Sequence, residues 1–304
     1  MRITVAKDET GDFKTVREAI ANADTGAEIF IKNGYYFEKI ILDKPNVSII
    51  GEDIEKTVII YNDSALRLDE KGEQLGTFAT ATFAVTENAV NTRIENLTVE
   101  NSAGYGKIVG QAVALSAGGD KSVFKRLRLI GRQDTLMLPP CFIEAQENPD
   151  MCVRQYFEDC YIEGDVDFIF GGAAAVFKNC DIFCKHRPIG YNCFITAACT
   201  PKNLPYGFVF FDCRIDGEAE KGTVYLGRPW LASARTVFID TAATDVLSPA
   251  VWSKWGVNRQ HNAACYAQNS FTDKTKVADW TDILSDDETA EYSIEKIFGG
   301  WTFS

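Results

Sequence analysis

Apolar and polar residues follow a helical spacing near the start of the chain and a strand spacing after it. The segment GDFKTVREAIANA (11–23) carries apolar residues at intervals of three and four, with polar residues between them, at Val16, Ala19, Ile20 and Ala23. This pattern predicts an amphipathic helix. The later runs, such as EIFIKNGYYFEKIIL (28–42), are rich in β-branched and aromatic residues and are punctuated by Gly, Asn and Asp. They predict many short strands joined by turns.

One strand motif returns five times in the middle of the chain. Each copy has a large apolar residue, two mostly polar residues, a Leu or Cys, one further residue, and then Val, Leu or Ile. The first apolar residues of the copies are Ile94, Phe124, Phe157, Phe177 and Phe210, separated by 30, 33, 20 and 33 residues. A constant strand pattern with turns of varying length predicts a parallel β-solenoid, in which the coils stack about 4.8 Å apart.

The fourth position of the motif predicts a ladder of small apolar side chains inside the solenoid. Its members are Leu97, Leu127, Cys160, Cys180 and Cys213. Buried cysteine behaves there as a small hydrophobic residue. A disulfide framework is the alternative, although the nine cysteines would leave one unpaired. A propeller or a β-sandwich would also be rich in strands, but their repeats are longer or more regular.

Length and composition predict a single folded unit. The 304 residues are 46% hydrophobic and 12% aromatic, which is enough for a substantial core. We expect one domain over 1–304, with an N-terminal cap at about 1–25 and a C-terminal tail at about 270–304 that packs on the solenoid. No apolar run approaches the roughly 18 residues that span a membrane.

Net charge limits the partners of the protein. The formal charge of −12 and the pI of about 4.8 argue against nucleic acid or an anionic membrane, since both require a basic surface. The first residues lack the apolar core of a signal peptide. If Met1 is the native start, the expected location is the cytoplasm; the alternative is a secreted protein whose leader has been removed.

Two aspartates fall at equivalent positions of neighbouring coils. Asp134 lies ten residues after Phe124, and Asp167 lies ten residues after Phe157. In register, their carboxyl groups would be stacked, and two nearby carboxyl groups do not both ionise easily. Such a pair divides into an acid and a base or nucleophile. The alternative is that both aspartates only cap turns. Asp165, in the same apolar stretch as Asp167, is expected to be a turn or surface residue.

Four further residues could complete a site around the aspartates. Gln133 and Gln111 could donate hydrogen bonds to a developing oxyanion, or they could belong to a polar ladder of the solenoid. Arg228 could pair with a carboxylate and Trp230 could stack on a sugar ring, or they could be a loop arginine and a core tryptophan. Neither histidine, His186 or His261, lies near a recognisable nucleophile, which weakens a Ser-His-Asp, Cys-His or His-rich metal site.

Several ordered motifs together resemble the pectin methylesterases, in the bacterial type of that family. SPAVWSKW (248–255) is a looser match near the C-terminal end. The closer matches are GDFKTVREAI (11–20), GYYFEKI (34–40), TATFAV (80–85), QAVAL (111–115), QDTL (133–136), DFIFG (167–171) and LGRPW (226–230). The resemblance covers about residues 3–255. It implies an all-β, right-handed parallel β-helix with a short N-terminal capping helix.

The resemblance also implies a role for each matched position. Asp167 corresponds to the nucleophile, Asp134 to the general acid and base, and Gln133 and Gln111 to the amides that stabilise the oxyanion. Arg228 corresponds to the hydrogen-bond partner of the nucleophilic carboxylate. The implied substrate-binding residues are Trp230, Phe168, Phe170 and Thr80.

The activity implied by the resemblance is hydrolysis of methyl esters on galacturonate units of pectin or oligogalacturonides, with release of methanol. The resemblance implies no metal or cofactor. The expected partner is the pectin or oligogalacturonide substrate, and the enzyme is expected to be a monomer. The alternatives are an inactive or divergent carbohydrate-binding relative, or a polygalacturonan-cleaving enzyme on the same fold. One departure is the segment 139–155, which is longer than the usual turn. It is expected to build one wall of the cleft and to favour short oligomers.

Overall fold

The computed structural model describes residues 2–256, 264–270 and 279–303. His261 and part of the predicted C-terminal tail lie outside these residues. Within the described ranges no helix has both the length and the apolar character needed to cross a bilayer.

The helices are short. They are α1 Val16–Asn22, α2 Gly106–Val109, α3 Phe142–Glu147, α4 Asp286–Thr289 and α5 Ile294–Ile297, with a single turn of 3₁₀ helix at Thr77–Ala79. The predicted first helix is confirmed as α1. It begins where the hydroxyl of Thr15 accepts a hydrogen bond from the backbone N–H of Glu18 at 3.2 Å, as a preferred N-cap does. Its apolar side packs against the first coil.

Most of the ordered chain consists of short strands. They are β1 Arg2–Val5, β2 Glu28–Ile31, β3 Gly34–Phe37, β4 Ile40–Leu42, β5 Ser48–Gly51, β6 Thr57–Tyr61, β7 Phe83–Val85, β8 Arg93–Asn101, β9 Leu115–Ala117, β10 Ser122–Ile130, β11 Leu136–Leu138, β12 Arg154–Glu158, β13 Tyr161–Gly164, β14 Val166–Gly171, β15 Ala174–Lys178, β16 Asp181–Cys184, β17 Cys193–Ala198, β18 Phe208–Phe211, β19 Arg214–Gly217, β20 Val224–Gly227, β21 Arg235–Ile239, β22 Ala242–Ala243, β23 Cys265–Gln268 and β24 Asp282–Ile283.

These strands pair in parallel along three ladders. The first ladder runs β4-β7-β9-β11-β14-β17-β20. The second follows β1-β2-β5-β8-β10-β12-β15-β18-β21-β23-β24, and the third follows β3-β6-β8-β10-β13-β16-β19-β22. Because β8 and β10 are long, each contributes to both the second and the third ladder. The architecture is a right-handed parallel β-helix, as predicted.

The predicted repeat register is confirmed. Its five anchor residues are direct partners on successive coils, and Phe238 continues the series. Consecutive phenyl rings from Phe124 to Phe238 stack with centroids 4.1–4.8 Å apart. Offset aromatic stacking of this kind adds to the gain from burial, so the interior aromatic column fixes the register of the coils.

A left-handed residue turns the chain between the second and third ladders. It comes two positions after each anchor, with φ of 48–57°, at Asn96, Arg126, Asp159, Asn179, Asp212 and Asp240. Asn and Asp adopt this conformation more readily than other side-chain-bearing residues. The polar positions of the motif are therefore the corners of the coils.

The predicted Leu and Cys ladder lies in the interior, with every member buried. The thiols of Cys160, Cys180 and Cys213 point to carbonyl oxygens of the preceding coil at 3.6–3.8 Å. All nine cysteines are free. The disulfide alternative is therefore wrong for this structure.

The C-terminal segment covers the outer face of the second ladder. Ile297 and Phe298 of the α5 region are buried, and they pack with Tyr156 and a row of valines that point outward from the strands. The carbonyl of Phe298 accepts a hydrogen bond from Arg154 at 3.4 Å. The described part of the tail thus removes an exposed apolar strip from water.

Candidate active site

The two aspartates of the predicted pair lie on adjacent coils of the first ladder. Leu136 pairs with Ile169, so Asp134 and Asp167, each two residues earlier, occupy equivalent positions. The backbone N–H of Asp134 donates to the carbonyl of Val166 at 3.0 Å. Both aspartates are left-handed, with φ of 67° and 49°. Sharp corners at this edge therefore bring the two carboxyl groups into one pocket, as the register predicted.

The pKa of Asp134 is raised well above its ordinary range. Burial is the main cause, and the charge of Asp167 adds to it. Only 9% of the Asp134 residue surface is exposed. Loss of hydration penalises the charged form, and a neighbouring carboxylate penalises it further. Asp134 is therefore the member of the pair that keeps its proton to higher pH.

Arg228 stabilises the charged form of Asp167. Its Nε donates to Oδ1 at 2.9 Å and its Nη2 to Oδ2 at 2.6 Å, which is the two-pronged geometry that guanidinium groups form with carboxylates. Burial raises the pKa of Asp167, and the hydrogen bonds and charge of Arg228 oppose that rise. Phe194 and Trp255 hold the guanidinium in place, with ring centroids at 4.1 and 4.3 Å from its carbon. A negative charge on the pair is therefore stabilised better on Asp167 than on Asp134.

Gln111 and Gln133 line the same pocket, a cavity of about 280 Å³. The backbone carbonyl of Gln111 accepts a hydrogen bond from the N–H of Ala65 at 2.8 Å, and the backbone carbonyl of Gln133 accepts one from the N–H of Ala112 at 3.1 Å. These backbone contacts fix the positions of both residues at the cavity. Gly106 packs directly against the side chain of Gln133: a Cβ added at Gly106 would lie 2.4 Å from Oε1 of Gln133. The amides can therefore donate to an oxyanion formed beside Asp167.

An aromatic wall borders the carboxylates. Trp230 lies 6.1 Å from Phe170, 6.3 Å from Trp255 and 5.5 Å from Phe142, measured between ring centroids. Phe170, Trp230 and Trp255 line the cavity, together with Phe78. Large apolar rings beside polar groups suit a sugar unit, which has both apolar and hydroxyl faces.

Three of these aromatic residues were not predicted from the sequence as members of the site. Phe78 and Phe142 lie on a 3₁₀ turn and on α3, outside the repeat, so no register linked them to the aspartates. Trp255 falls within the loosely matched SPAVWSKW motif. The position of that motif on the C-terminal side of LGRPW is the sequence signal that could have indicated a place for Trp255 in the site.

Two predicted substrate-binding residues do not reach the pocket. Phe168 is fully buried in the interior core, where its side chain occupies the space above Gly164. The pairing of β14 with β17 is irregular between Val166 and Ile169. This irregularity breaks the strand alternation, so Phe170 faces outward while Phe168 faces inward.

Thr80 is also fully buried. Its hydroxyl donates to the carbonyl of Thr77 at 2.7 Å and accepts from the N–H of Val113 at 3.0 Å. Thr80 therefore holds the backbone beneath the pocket. The prediction that it binds substrate directly is wrong.

Asp165 lies at the bend between β13 and β14, as a turn residue would, but the expectation that it could be a surface residue is wrong. Its residue surface is 1% exposed, and Oδ2 lies 3.3 Å from Nη1 of Arg132. Burial raises the pKa of Asp165, and the charge of Arg132 opposes the rise. The apolar stretch thus holds two buried carboxyl groups, each facing its own arginine.

Comparison with known proteins identifies the family. The pectinesterase family model matches residues 2–300. Pectinesterase 2 of Citrus sinensis is 32% identical over 315 aligned residues, which cover 98% of this chain and 58% of that protein. This chain therefore spans little more than half the length of that relative.

Solved structures agree with the fold. Pectin methylesterase from carrot superposes with a TM-score of 0.83 at 29% identity and covers 99% of this chain and 97% of its own. A pectin methylesterase in complex with a hexasaccharide has the same TM-score and coverage at 27% identity. The ordered motifs, the parallel β-helix and the match to nearly the whole chain lead to one conclusion: this chain belongs to the pectinesterase family.

Proposed function

We propose that the protein removes methyl esters from galacturonate units of pectin or oligogalacturonides and releases methanol. The observation that carries this proposal is the asymmetric pair of aspartates. Asp167 is bound by both prongs of Arg228, whereas burial and the charge of Asp167 raise the pKa of Asp134. A nucleophilic carboxylate beside a protonated acid is suited to covalent ester hydrolysis. A carbohydrate-binding module does not require one ionised and one protonated carboxyl group side by side.

In the first half of the proposed reaction, a carboxylate oxygen of Asp167 attacks the ester carbonyl carbon. The carbonyl electrons move to the oxygen, and the amides of Gln111 and Gln133 donate hydrogen bonds to the resulting oxyanion. When the tetrahedral intermediate collapses, the bond to the methoxy group breaks. Asp134 gives its proton to that leaving group, so methanol departs and an anhydride joins Asp167 to the galacturonate.

In the second half, Asp134 acts as a base. Its carboxylate removes a proton from a water molecule, whose oxygen attacks the galacturonate carbonyl carbon of the anhydride. Collapse of this intermediate breaks the bond to Asp167 and frees a galacturonate carboxyl group. Asp134 has regained its proton, and Asp167 is again a carboxylate paired with Arg228. Each residue returns to its starting state, as a catalyst must.

The aromatic wall supports a sugar chain as substrate. Phe170 and Trp230 border the cavity beside the carboxylates, where they can pack against the apolar face of a pyranose ring. A similar protein has been crystallised with a hexasaccharide, which supports an oligosaccharide of comparable length as a substrate here.

The test is methanol release from methylated pectin and from short methylated oligogalacturonides. We expect release from at least one of these substrates, and its loss in Asp167→Asn. Asp159→Asn is a matched control, because Asp159 is also left-handed but is an exposed corner of the coil. Absence of methanol from both substrates, with folded protein, would refute the proposal. Substantial activity in Asp167→Asn would refute the assigned nucleophile.

Two further predictions accompany this function. We expect the protein to be monomeric, which light scattering after size exclusion measures directly. The cytoplasmic location expected from the sequence stays a prediction, and fractionation of the native cells tests it.

A further inference from the structure

A second charged pair lies beside the catalytic aspartates, on the same two coils. Arg132 and Asp165 are neighbours in the register of the first ladder, and the N–H of Asp165 donates to the backbone carbonyl of Arg132 at 3.1 Å. Each comes two residues before a member of the catalytic pair, Asp134 or Asp167. Two residues of chain span at most about 7 Å. The buried carboxyl group of Asp165 is therefore close to the reacting groups, although the proposed mechanism gives it no role.

The charge of Asp165 is only partly neutralised where it lies. Its residue surface is 1% exposed. Nη1 of Arg132 is 3.3 Å from Oδ2, which is longer than the roughly 2.7–2.9 Å of a strong charge-assisted hydrogen bond. Among the described residues, Oδ1 has no hydrogen-bond partner. The charges of Arg132 and Arg187 nevertheless favour the ionised form, because they oppose the rise in the pKa of Asp165 that burial causes.

Arg132 is itself fixed by contacts on two further segments. Its Nη1 also donates to the carbonyl of His186 at 3.3 Å, and its guanidinium carbon lies 5.7 Å from the ring centroid of Tyr105. The hydroxyl of Tyr105 donates to the carbonyl of Ile189 at 2.6 Å. The guanidinium is thus held against Asp165 from outside the two coils, which keeps the distance between Asp165 and the catalytic pair constant.

The charge of Asp165 reaches both catalytic aspartates. Burial is the main cause of the raised pKa of Asp134 and of Asp167, and the charge of Asp165 adds to it in each case. At Asp167 the hydrogen bonds and charge of Arg228 offset these effects. Buried charges at this separation are only weakly screened.

The other titratable groups around the three carboxyl groups leave one further charge to consider. Burial raises the pKa of two thiols and of one phenol, which are therefore neutral, whereas the guanidinium of Arg187 is charged. These groups are Cys141, Cys193, Tyr266 and Arg187.

We propose that Asp165 is a positioning residue for the reaction, and that its negative charge, fixed by Arg132, keeps one proton in the catalytic pair at neutral pH. This inference rests on the proposed function. The retained proton is the one that Asp134 gives to departing methanol. Asp165 acts through the pair, because it is buried and is not among the described residues that line the catalytic cavity.

The first test follows the carboxyl groups of substrate-free protein, so it does not depend on turnover. Protein labelled with carbon-13 at the aspartate carboxyl groups is titrated by NMR. The resonance of Asp134 is identified as the one that disappears in Asp134→Asn. Asp165→Asn keeps the shape of the side chain and removes its charge. In that variant we expect the Asp134 resonance to titrate at lower pH, by about half a pH unit or more.

Asp181→Asn is the matched control. Asp181 also pairs with an arginine of the neighbouring coil, since Nε of Arg214 lies 3.0 Å from Oδ1, but its side chain is 54% exposed and lies on the third ladder. This substitution should leave the titration of Asp134 unmoved. Asp165→Asn combined with Arg132→Gln is a second variant that leaves no arginine without its partner, and it should move the resonance in the same direction as Asp165→Asn alone.

The pH profile of methanol release is the second readout. The acid limb requires ionised Asp167 and the alkaline limb requires protonated Asp134, so both limbs should move to lower pH in Asp165→Asn. Loss of Arg228 would move them in the opposite direction. KM should stay within about twofold, because Asp165 does not touch the substrate.

The proposal is overturned if the Asp134 resonance titrates at the same or at a higher pH in both the single and the double variant. An equal loss of activity at every pH, with an unmoved resonance, would show a purely structural role and overturns it as well. A failure of the proposed function shows differently, as absent methanol release from the wild-type protein, and the NMR titration still decides whether the charge of Asp165 holds the proton.

Discussion

Replacing Arg228 tests the division of roles between the two aspartates. In Arg228→Gln the carboxylate of Asp167 loses both charge-assisted hydrogen bonds, at 2.9 and 2.6 Å. Asp167 is 6% exposed, so its carboxylate has little other hydration to compensate for their loss. Removing one partner of a buried ion pair costs about 3–5 kcal/mol. Since each 1.36 kcal/mol is a factor of ten, we expect kcat/KM at neutral pH to fall about 10²- to 10³-fold, with part of the cost avoided by protonation of Asp167.

The pH profile gives the sharper result. Arg228 opposes the burial that raises the pKa of Asp167, so its removal raises that pKa further. Because the nucleophile must be ionised, the acid limb of the profile moves to higher pH. The charge of Arg228 also lowers the pKa of Asp134, so the alkaline limb moves in the same direction. The two apparent values belong to the coupled pair.

Arg228→Lys separates charge from geometry. Lysine keeps the positive charge but cannot form the planar fork or stack between two rings as Arg228 does. We expect about a 10- to 100-fold loss in kcat/KM, with the acid limb closer to its wild-type position. Arg214→Gln is the control, since Arg214 pairs with Asp181 on the exposed surface, and it should change kcat/KM by less than about twofold. The reasoning fails if Arg228→Gln keeps kcat/KM within about fivefold with an unmoved acid limb.

Three further substitutions probe the acid, the oxyanion amide and the core. Asp134→Asn should lower kcat about 10²- to 10⁴-fold. Because the folded pKa of Asp134 is raised, ionisation of the wild-type side chain destabilises the fold as pH rises. The melting temperature of the variant should therefore exceed that of the wild type at alkaline pH and differ little from it in acid. Gly106→Ala would place a Cβ 2.4 Å from Oε1 and 2.8 Å from Cβ of Gln133, so Gln133 must shift, and we expect kcat to fall about tenfold or more together with a lower melting temperature. Phe177→Ala, between rings at 4.8 and 4.4 Å, should lower the free energy of unfolding in urea by about 3–5 kcal/mol, against less than about 0.5 kcal/mol for the exposed Phe37→Ala.

The repeat was visible in the sequence because each coil must place the same kind of side chain inward. Phe157 and Phe177 stack in one column, and Cys160 and Cys180 lie on the same interior ladder. Such positions tolerate few residue types, since the interior is closely packed. The corners were harder to assign. Polar residues at a corner look like any surface turn, and the left-handed backbone that makes them corners is a property of the folded chain.

The site was predictable where it followed the coil register or the ordered motifs. Asp134 and Asp167 share a register position, so their meeting could be derived. Phe142 comes from a segment outside the repeat, and its contact with Trp230 depends on how that segment folds back. Phe168 was placed in the groove on the family resemblance alone. The irregular pairing before Ile169 directs it into the core, although Phe170 two residues later lines the pocket.

The backbone conformation of Asp167 recurs at solvent-exposed corners of the same solenoid. Asp159 is also left-handed, yet it is exposed and accepts a hydrogen bond from Asn179 at 2.6 Å. The difference between the two lies in their surroundings: Asp167 is buried beside a second carboxyl group and an arginine. Because Asn adopts the left-handed conformation as readily as Asp, Asp167→Asn removes the charge while keeping the corner. Loss of activity in that variant therefore reports chemistry, whereas alanine at the same position would combine lost chemistry with backbone strain.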